Sequence, residues 1–350
     1  MIRVGIIGLG YWGPNLTRNF ASVPGSQLSA LCDLNSKRLG QVAAQYPNTY
    51  ATHDAEEVLT SRMIDAAVIA TPTSSHYRLA RKALERGLHT FVEKPLATSS
   101  EECEELIRLA DDMGVLLFVG HVFLYSAPVI KLRELIANGD LGNISYISSA
   151  RLNLGPIRHD VNALWDLAPH DISIVLELMG RLPITVNSQG LAYLSRKVHD
   201  VCSLTLHFGN NTMALIHVSW LDPNKRRLVT VVGDKKMAVY DDIEPLEKIK
   251  IYDIGVEAPG YPDSFGEFQY SYRYGDTYCP RLAQVEPLKA ECRDFIDCIR
   301  EGKRPKSDGR HGLEVVRVLK AAESSLLNGG GRVRVQDTES VVTAFAGVRS

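Results

Sequence analysis

Two short motifs carry side chains that can exchange a proton with a substrate. Lys94 lies in the sequence Glu93-Lys94-Pro95, and Asp166 and His170 are four residues apart in a later segment. A lysine ammonium can orient an alcohol and stabilise a developing alkoxide. A histidine titrates near neutral pH and is a natural general base for a hydroxyl proton. Alone, each motif also fits an ordinary structural role, as a solvated lysine or as a helix-start aspartate followed by a structural histidine.

The second motif contains a proline that bears on how its two polar residues are held. The apolar pattern predicts a helix at about 163–179, and i, i+4 spacing places Asp166 and His170 on one face of it. Pro169 is tolerated in a first helical turn but not in a helix interior. We therefore expect Asp166 in a preceding turn and the regular helix to start near residue 169. Asp166 would then orient the imidazole or hold a neighbouring substrate hydroxyl.

A glycine-rich turn near the N-terminus has the pattern of a dinucleotide site. Gly8, Gly10 and Gly13 follow an apolar run at 2–7 and open a helical pattern. The first glycine permits the tight turn, the second lets the backbone approach a pyrophosphate, and the third lets helix and strand pack closely. Phosphates would sit on the unpaired N–H groups of the helix N-terminus. This strand–turn–helix context predicts dinucleotide binding.

The residue that selects between cofactors is predicted to be Asp33. It lies twenty residues after Gly13 and directly follows a second apolar run at 28–32. A carboxylate there accepts hydrogen bonds from a ribose 2′-hydroxyl and repels a 2′-phosphate, which favours NAD over NADP. Arg38 lies a few residues further on and would still admit a phosphate, so NADP is the second choice.

Length, composition and charge limit the classes of protein to which this chain can belong. The chain has 350 residues, 45% hydrophobic and 23% charged, which suits two globular domains. A net charge of -2 gives no reason to expect nucleic acid or an anionic membrane as a partner. No apolar run approaches the roughly 18 residues of a membrane span, and no signal peptide is recognised, so we expect a cytoplasmic protein. The cysteines show no metal-binding or disulfide spacing and are expected to be buried thiols: Cys32, Cys103, Cys202, Cys279, Cys292 and Cys298.

The first 120 residues or so alternate short apolar strands with helical patterns. Strands are expected at 2–7, 28–32, 49–51, 66–70, 89–92 and 115–119, and helices at 14–22, 36–46, 54–60, 76–86 and 100–112. Nearly continuous Val, Ile, Leu and Ala in the strands is typical of a parallel sheet covered on both faces. The alternation predicts an α/β fold with a doubly wound, Rossmann-type sheet in a domain at 1–121.

The pattern changes beyond residue 121. After a helix at 127–138, strands recur at 144–152, 184–193, 199–208, 212–220, 228–233, 236–240 and 248–253, interrupted only by the helix at about 163–179. Short turns between successive strands predict a large, mostly antiparallel sheet in a second α/β domain at 122–350. Residues 254–286 show no periodicity and are expected to form a long loop, with a lid as one option. Two helices at 287–302 and 311–328 close the pattern, and their packing back on the first domain is also considered.

Together, these motifs resemble the Gfo/Idh/MocA family of NAD(P)-dependent oxidoreductases. The matching elements, in order, are Gly8-Leu9-Gly10, Asp33, Thr71-Pro72-Thr73-Ser74-Ser75-His76, Glu93-Lys94-Pro95, Asp166-x-x-x-His170 and Gly233-Asp234-Lys235-Lys236. The resemblance implies reversible oxidation of a sugar or cyclitol hydroxyl. It also implies that the open sheet of the second domain often forms the face of a homodimer or homotetramer.

The resemblance also assigns roles to individual residues. Lys94 and His170 become the catalytic pair, Asp166 supports the substrate or His170, and the formal base of the pair is left open. Glu93 contacts the cofactor beside Lys94. The other cofactor-binding residues would be Gly8, Gly10, Tyr11, Trp12, Gly13, Asp33, Arg38, Thr71, Pro72, Ser75 and His76. No metal site is expected.

Several phrases are similar to nucleotide-sugar 3-dehydrogenases within the family. They are Gly10-Tyr11-Trp12-Gly13-Pro14-Asn15, Gly120-His121-Val122-Phe123-Leu124-Tyr125, Arg151-Leu152-Asn153-Leu154-Gly155 and Gly275-Asp276-Thr277-Tyr278. Such enzymes oxidise the 3-hydroxyl of a UDP-linked N-acetyl sugar. The alternatives are an inositol or free-sugar dehydrogenase, a ketoreductase working in the other direction, and a non-catalytic dinucleotide-sensing regulator.

Residues expected near the substrate lie in several segments. They are His121, Phe123, Tyr125, Arg151, Asn153, Arg158, His159, Asp160, Asn162 and Tyr278. Arg151 and Arg158 can bind a phosphate or carboxylate through paired hydrogen bonds, or can instead form salt bridges. Tyr270, Tyr272 and Tyr274 lie on the expected loop and would cover a sugar or uracil ring, or pack on a neighbouring subunit.

Overall fold

The computed structural model describes residues 1–158, 160–195, 198–257 and 271–335. The chain divides into two compact units. The first unit comprises Met1–Ser126 and Gln284–Arg317, and the second comprises Ala127–Ala283 and Val318–Ser350. None of the helices in the described ranges reaches the length and hydropathy that a membrane span requires.

The first unit is built on a six-stranded parallel sheet with the order β3-β2-β1-β4-β5-β6. The strands are β1 (Ile2–Ile7), β2 (Ser26–Cys32), β3 (Tyr50–Thr52), β4 (Ala66–Ile69), β5 (His89–Glu93) and β6 (Leu117–Gly120). The intervening helices are α1 (Gly13–Ser22), α2 (Ser36–Ala43), α3 (Ala55–Thr60), α4 (His76–Glu85) and α5 (Ser100–Met113). This strand order confirms the doubly wound sheet. Successive strands are added to one side of β1 up to β3 and to its other side from β4 onward. Sheets of this type bind dinucleotides at that switch point, between β1 and β4.

The second unit contains a nine-stranded sheet with the order β14-β13-β12-β11-β7-β10-β9-β8-β15. Its strands are β7 (Ile144–Leu154), β8 (Thr185–Leu191), β9 (Val201–Phe208), β10 (Thr212–Ser219), β11 (Leu221–Gly233), β12 (Met237–Asp241), β13 (Ile249–Glu257), β14 (Ser271–Tyr278) and β15 (Val333–Arg334). β7 and β10 run parallel and the other neighbours are antiparallel. The helices α6 (Ala127–Ala137) and α7 (Ala163–Met179) belong to this unit, and α7 packs on β7, β9 and β10. The mostly antiparallel second sheet is thus confirmed.

A later helix, α8 (Pro287–Glu301), returns to the core of the first unit. Its Phe295 ring meets Phe20 of α1, Phe91 of β5 and Phe118 of β6, with ring centroids 6.0, 5.7 and 5.4 Å apart. All four rings are fully buried. Aromatic contacts of this kind contribute beyond the area they bury.

The last long helix, α9 (Gly309–Leu327), is attached to the end of the parallel sheet. Ser307 precedes the helix, and its carbonyl accepts a hydrogen bond from the backbone N–H of Val119 in β6 at 2.8 Å. The carboxylate of Asp308 then accepts from the backbone N–H of His311 at 2.9 Å, in the first helical turn. This N-terminal cap fixes the position of His311 beside β6.

Two expectations about secondary structure were wrong. Residues 254–286 are not one long loop, because β13 continues to Glu257 and β14 pairs with it antiparallel from Ser271 to Tyr278. α7 does not start near residue 169 but at Ala163, with Pro169 inside it. A proline in a helix interior costs about 3 kcal/mol, and the extensive burial of α7 offsets that cost.

The cysteines are free thiols in the described residues. Five are buried, as expected from their apolar surroundings, and Cys279 is the exposed exception. Burial raises the pKa of buried thiols, and for Cys32 the value is about 12. These thiols are therefore protonated at neutral pH.

Candidate active site

The structure shows what each of the three glycines contributes to the turn between β1 and α1. Gly8 adopts a φ of +97°, and a Cβ there would lie 2.6 Å from the carbonyl oxygen of Ala70. A Cβ on Gly13 would collide with the carbonyl oxygen of Gly8. Around Gly10, a Cβ would meet nothing within 4 Å. Two glycines thus close the turn, and the third leaves the backbone open to a ligand.

The N-terminus of α1 can receive an anion. Trp12 is its N-cap residue and makes no side-chain capping hydrogen bond. Pro14 has no backbone N–H, and the other N–H groups of the first turn remain available to a phosphate, where the helix dipole also favours negative charge. Tyr11 is exposed and packs edge-to-face on Trp12, with ring centroids 5.5 Å apart. The open backbone at Gly10 and this uncapped helix fit the pyrophosphate of NAD.

Asp33 is tied to the same turn. One carboxylate oxygen accepts a hydrogen bond from the backbone N–H of Leu9 at 2.6 Å, and the other accepts from Asn35 at 2.7 Å. Each oxygen keeps a further lone pair for a ribose hydroxyl. The side chain of Arg38 is exposed, and its backbone N–H is bound by the Asn35 side chain at 3.1 Å. The structure thus holds the predicted acid against the glycine turn.

A buried histidine joins the loops that follow β4 and β5. The ring nitrogens of His76 lie 2.8 Å from the carbonyl oxygens of Pro95 and Thr71. Ser75 donates to the Thr71 hydroxyl at 2.7 Å, and Pro72 is exposed. Burial, opposed by these two hydrogen bonds, lowers the pKa of His76. His76 therefore holds backbone segments together, in agreement with its expected place in the cofactor loop.

The Glu93-Lys94-Pro95 motif follows the end of β5. The Lys94–Pro95 peptide bond is cis, Lys94 is half-buried, and Glu93 is buried. A carboxylate oxygen of Glu93 accepts from the backbone N–H of Lys94 at 3.2 Å. Burial raises the pKa of Glu93 to about 7, against the opposing charge and backbone N–H of Lys94. The motif therefore places an ammonium beside a carboxyl group that titrates near neutral pH.

Three of the residues predicted near the substrate lie in the segment after β6, and they differ in how deeply they are buried. His121 is buried. Phe123 is half-buried in the short 3₁₀ turn that follows. Tyr125 donates its hydroxyl proton to Asp294 at 2.6 Å and stacks on Phe118, so it belongs to the core of the first unit.

In the second unit, side chains of Arg158 and Trp220 hold Asp166. Arg158 donates to one carboxylate oxygen at 3.1 Å, and the indole Nε1 of Trp220 donates to the other at 3.1 Å. Arg158 also forms an ion pair with the exposed Asp160 at 2.6 Å. His170 is half-buried on α7, one turn beyond Asp166. Sequence reasoning did not select Trp220; its only signal was an isolated tryptophan at the end of a predicted strand.

Of the remaining residues predicted near the substrate, some make structural contacts and others are partly or fully exposed. Arg151 forms a buried ion pair with Asp171, with Nε 2.7 Å from the carboxylate. Asn162 caps α7 by accepting from the backbone N–H of Trp165 at 3.0 Å. Asn153 is half-buried on β7 and Tyr278 ends β14 in an exposed position. His159 and Tyr270 lie outside the described residues, and Tyr272 and Tyr274 are exposed on β14.

No group of three or more His, Cys, Asp or Glu side chains within the described ranges is arranged to hold a metal ion. The residues around the glycine turn and the Lys94 motif supply donors and acceptors suited to an organic cofactor and substrate.

Comparison with known proteins supports this interpretation. Residues 2–121 match the family model described as an oxidoreductase family with an NAD-binding Rossmann fold. Residues 129–239 match the GFO/IDH/MocA C-terminal domain. The chain belongs to the Gfo/Idh/MocA family. It is an oxidoreductase with an NAD-binding Rossmann domain, and its relatives include sugar and polyol dehydrogenases that act on CH–OH groups.

Individual members of the family align along most of the chain. UDP-N-acetylglucosamine 3-dehydrogenase of Acidithiobacillus ferrooxidans is 28% identical over 90% of this chain and 94% of its own. The NAD-dependent scyllo-inositol 2-dehydrogenase of Bacillus subtilis is 26% identical over 94% of this chain and 95% of its own. A solved structure of UDP-N-acetylglucosamine 3-dehydrogenase GnnA from the first organism has a TM-score of 0.78 at 26% identity, covering 93% of this chain and 97% of that one.

Proposed function

We propose that this oxidoreductase oxidises the C3 hydroxyl of a UDP-linked N-acetyl sugar to a ketone with NAD. The observation that carries the proposal is the 28% identity to a UDP-N-acetylglucosamine 3-dehydrogenase over 90% of the chain. The motifs at Lys94, Asp166 and His170 agree with it, because a dehydrogenase needs groups that orient a hydroxyl and remove its proton.

The proposed chemistry divides between the cofactor and two side chains. NAD, when bound, accepts the hydride from the carbon that carries the hydroxyl. Of Lys94 and His170, one accepts the hydroxyl proton and the other orients the oxygen and stabilises its negative charge. Asp166 positions His170 or a neighbouring substrate hydroxyl. The hydrogen bonds from Arg158 and Trp220 hold its carboxylate for that purpose.

Substrate contacts are proposed for the residues whose polar or aromatic groups suit a sugar nucleotide. We retain Phe123, Asn153 and Tyr278 in this role, together with Arg158 as the holder of Asp166. His121 is not retained, because its side chain is only 1% exposed. Arg151 and Asn162 are not retained. The guanidinium of Arg151 is committed to Asp171, and the Asn162 side chain caps α7.

The second candidate function is oxidation of an inositol or free sugar. It is favoured by the 26% identity to scyllo-inositol 2-dehydrogenase over 94% of the chain. The same chemistry runs in reverse as a ketoreductase. A substrate panel separates these functions: NADH formation is measured with UDP-N-acetylglucosamine, its uronate, dTDP-sugars, glucose and myo-inositol. We expect turnover with a UDP-N-acetyl sugar; turnover with free polyols alone would replace the leading proposal with the second.

Self-association through the second sheet is also proposed. α7 packs on this sheet through β7, β9 and β10, and β10 alternates buried and exposed side chains. Tyr146, Met213 and Leu215 are large apolar side chains exposed on its strands, and Tyr146 pairs in register with Met213. Exposed apolar groups on adjacent strands are typical of an interface. Light scattering should give the mass of a dimer or tetramer, and Leu215→Lys should lower it; a monomeric wild type would contradict this proposal.

A further inference from the structure

A buried histidine next to Lys94 has no hydrogen-bond partner in the part of the chain that the structure describes. Glu93 and Gly120 pair in register at the ends of β5 and β6, so Lys94 and His121 are the next residues of adjacent strands. The His121 side chain is 1% exposed, and neither ring nitrogen finds a partner among the described residues. Burying a polar group without a partner is destabilising by about 1–3 kcal/mol. The structural contacts of His121 therefore do not explain why a polar ring is buried at this position.

A second histidine lies against the first and leads to the surface. The rings of His121 and His311 meet edge-to-face, with centroids 5.2 Å apart and planes at 90°. The His311 side chain is 12% exposed, and its Nδ1 lies 3.8 Å from a carboxylate oxygen of Glu314, which is 44% exposed. The cap from Asp308 fixes His311 in the first turn of α9. Lys94, His121, His311 and Glu314 thus form a series that ends in solvent.

Charges in this series favour a neutral His121. Burial, then His311, then the ammonium of Lys94 hold the pKa of His121 well below its ordinary value. A neutral imidazole has one N–H donor and one acceptor nitrogen, so it can accept a proton on one side and release another on the opposite side. The repulsion from Lys94 disappears when Lys94 gives up its proton, so His121 can accept that proton. Burial still disfavours the charged ring, so His121 passes a proton on without retaining it.

We propose that His121, His311 and Glu314 conduct the proton released during alcohol oxidation from Lys94 to solvent. This inference rests on the proposed function. Each oxidised alcohol yields one hydride, which NAD accepts, and one proton, which leaves the hydroxyl oxygen. In this proposal Lys94 is the member of the catalytic pair that accepts it, after the Lys94 ammonium has first released a proton along the same path. That proton moves to one nitrogen of His121 while the other nitrogen releases a proton to His311. Because neither nitrogen of His121 is hydrogen-bonded to a described residue in the resting structure, rotation of the two rings about their Cβ–Cγ bonds first brings the nitrogens within hydrogen-bonding distance, and the reverse rotation resets the pair.

The first test needs neither cofactor nor turnover. The imidazole nitrogens of the full-length protein are labelled with ¹⁵N, and the tautomer of His121 is followed by NMR across pH in the wild type and in His311→Gln. We expect the titration of His311 to change the tautomer populations of His121, and the substitution to abolish that response. Independent titration of the two rings would overturn the path.

The second test uses the active enzyme with the best substrate of the panel. His311→Gln should lower kcat about ten-fold, a modest part of the effect of acid–base catalysis, while KM for both substrates stays unchanged. The solvent deuterium isotope effect on kcat should rise, and added imidazole should restore the rate. His89→Gln is the control, because His89 starts β5 at the opposite end of the strand from Glu93.

The outcomes separate the two proposals. A wild-type kcat and isotope effect in His311→Gln would overturn the proton path while leaving the dehydrogenase function intact. Absence of NADH formation by the wild type with every member of the panel would remove the proposed function, and the NMR titration would still decide whether the two rings are coupled. If His311→Gln melts well below the wild type, Glu314→Gln at the surface end of the path replaces it, with the same increase in isotope effect expected.

Discussion

The indole nitrogen of Trp220 donates a hydrogen bond to the carboxylate of Asp166, 3.1 Å away, from a position 54 residues further along the chain. Trp220 is fully buried at the junction of β10 and β11, so the direction of its N–H is fixed by packing. The arrangement lets the core of the second unit set the orientation of a residue proposed to serve the reaction.

Trp220→Phe should therefore impair turnover more than binding. Phenylalanine keeps an aromatic ring in the core and removes only the donor to Asp166 and part of the ring volume. Hydrogen bonds to charged groups contribute about 1.5–3 kcal/mol, and since Arg158 still holds Asp166, we expect kcat to fall about ten-fold with little change in KM. Steady-state kinetics across pH measure this effect.

Trp165→Phe is the matched control for this prediction. Trp165 lies on the same helix as Asp166 and also donates its indole N–H to a carboxylate, that of Glu323, at 2.8 Å. Removing this hydrogen bond leaves the contacts of Asp166 unchanged. An equal loss of kcat in both variants would show that removing any indole hydrogen bond from the second unit lowers turnover. That result would contradict a positioning role for Trp220.

Cofactor preference should depend on the charge of Asp33. The wild type is expected to bind NAD more tightly than NADP, because the carboxylate repels a 2′-phosphate. Asp33→Asn keeps the shape and an acceptor for the Leu9 N–H, but removes the charge and the acceptor for the Asn35 N–H. It should shift the ratio of the two dissociation constants toward NADP by about ten-fold. Calorimetric titration with both cofactors measures the ratio. A wild type that prefers NADP would contradict the role assigned to Asp33.

Stability should depend on pH through the buried carboxyl of Glu291 in α8. Burial, then the nearby charges of Glu93 and Asp294, hold its pKa well above the ordinary value. The folded state therefore keeps a proton that the unfolded chain loses above its ordinary pKa. This residue's contribution is fully present at acidic pH and is lost as pH rises through the folded pKa. Glu291→Gln should raise the melting temperature more at about pH 8 than at about pH 5.

An exposed glutamate on the same helix supplies the control for this measurement. The pKa of Glu301 is lowered, chiefly by a hydrogen bond from Lys303, so it favours the folded state once ionised. Glu301→Gln should not raise the melting temperature at the higher pH. A melting difference for Glu291→Gln that is independent of pH would contradict the raised pKa.

The sequence predicted those parts of the fold whose burial follows a simple pattern. β1 and β4 are buried on both faces, and such strands appear as continuous apolar runs. β14 and the part of β13 beyond residue 253 were missed for the opposite reason. They form the edge of the second sheet, and Ile254, Tyr272 and Tyr274 are exposed there, so no alternation marks the strands.

The candidate site was predictable where its residues belong to one local motif. The glycine turn and Glu93-Lys94-Pro95 each lie within a few residues. The hydrogen bond between Asp166 and Trp220 and the ion pair between Arg151 and Asp171 could not be predicted. In each case the two partners belong to different elements, and the distance between them depends on packing. Pro169 shows the same limit, since local preference disfavours it in a helix interior and the burial of α7 overrides that preference.

Lys94→Ala tests the central claim most directly. NADH absorbance is followed with the best substrate of the panel, and NAD binding to the same variant is measured by calorimetry. We predict that NAD still binds within a few-fold of the wild type while kcat falls by roughly 10² or more, the scale of lost acid–base and electrostatic assistance. A variant that binds NAD and turns over at the wild-type rate would contradict the role of Lys94 and the proposed mechanism with it.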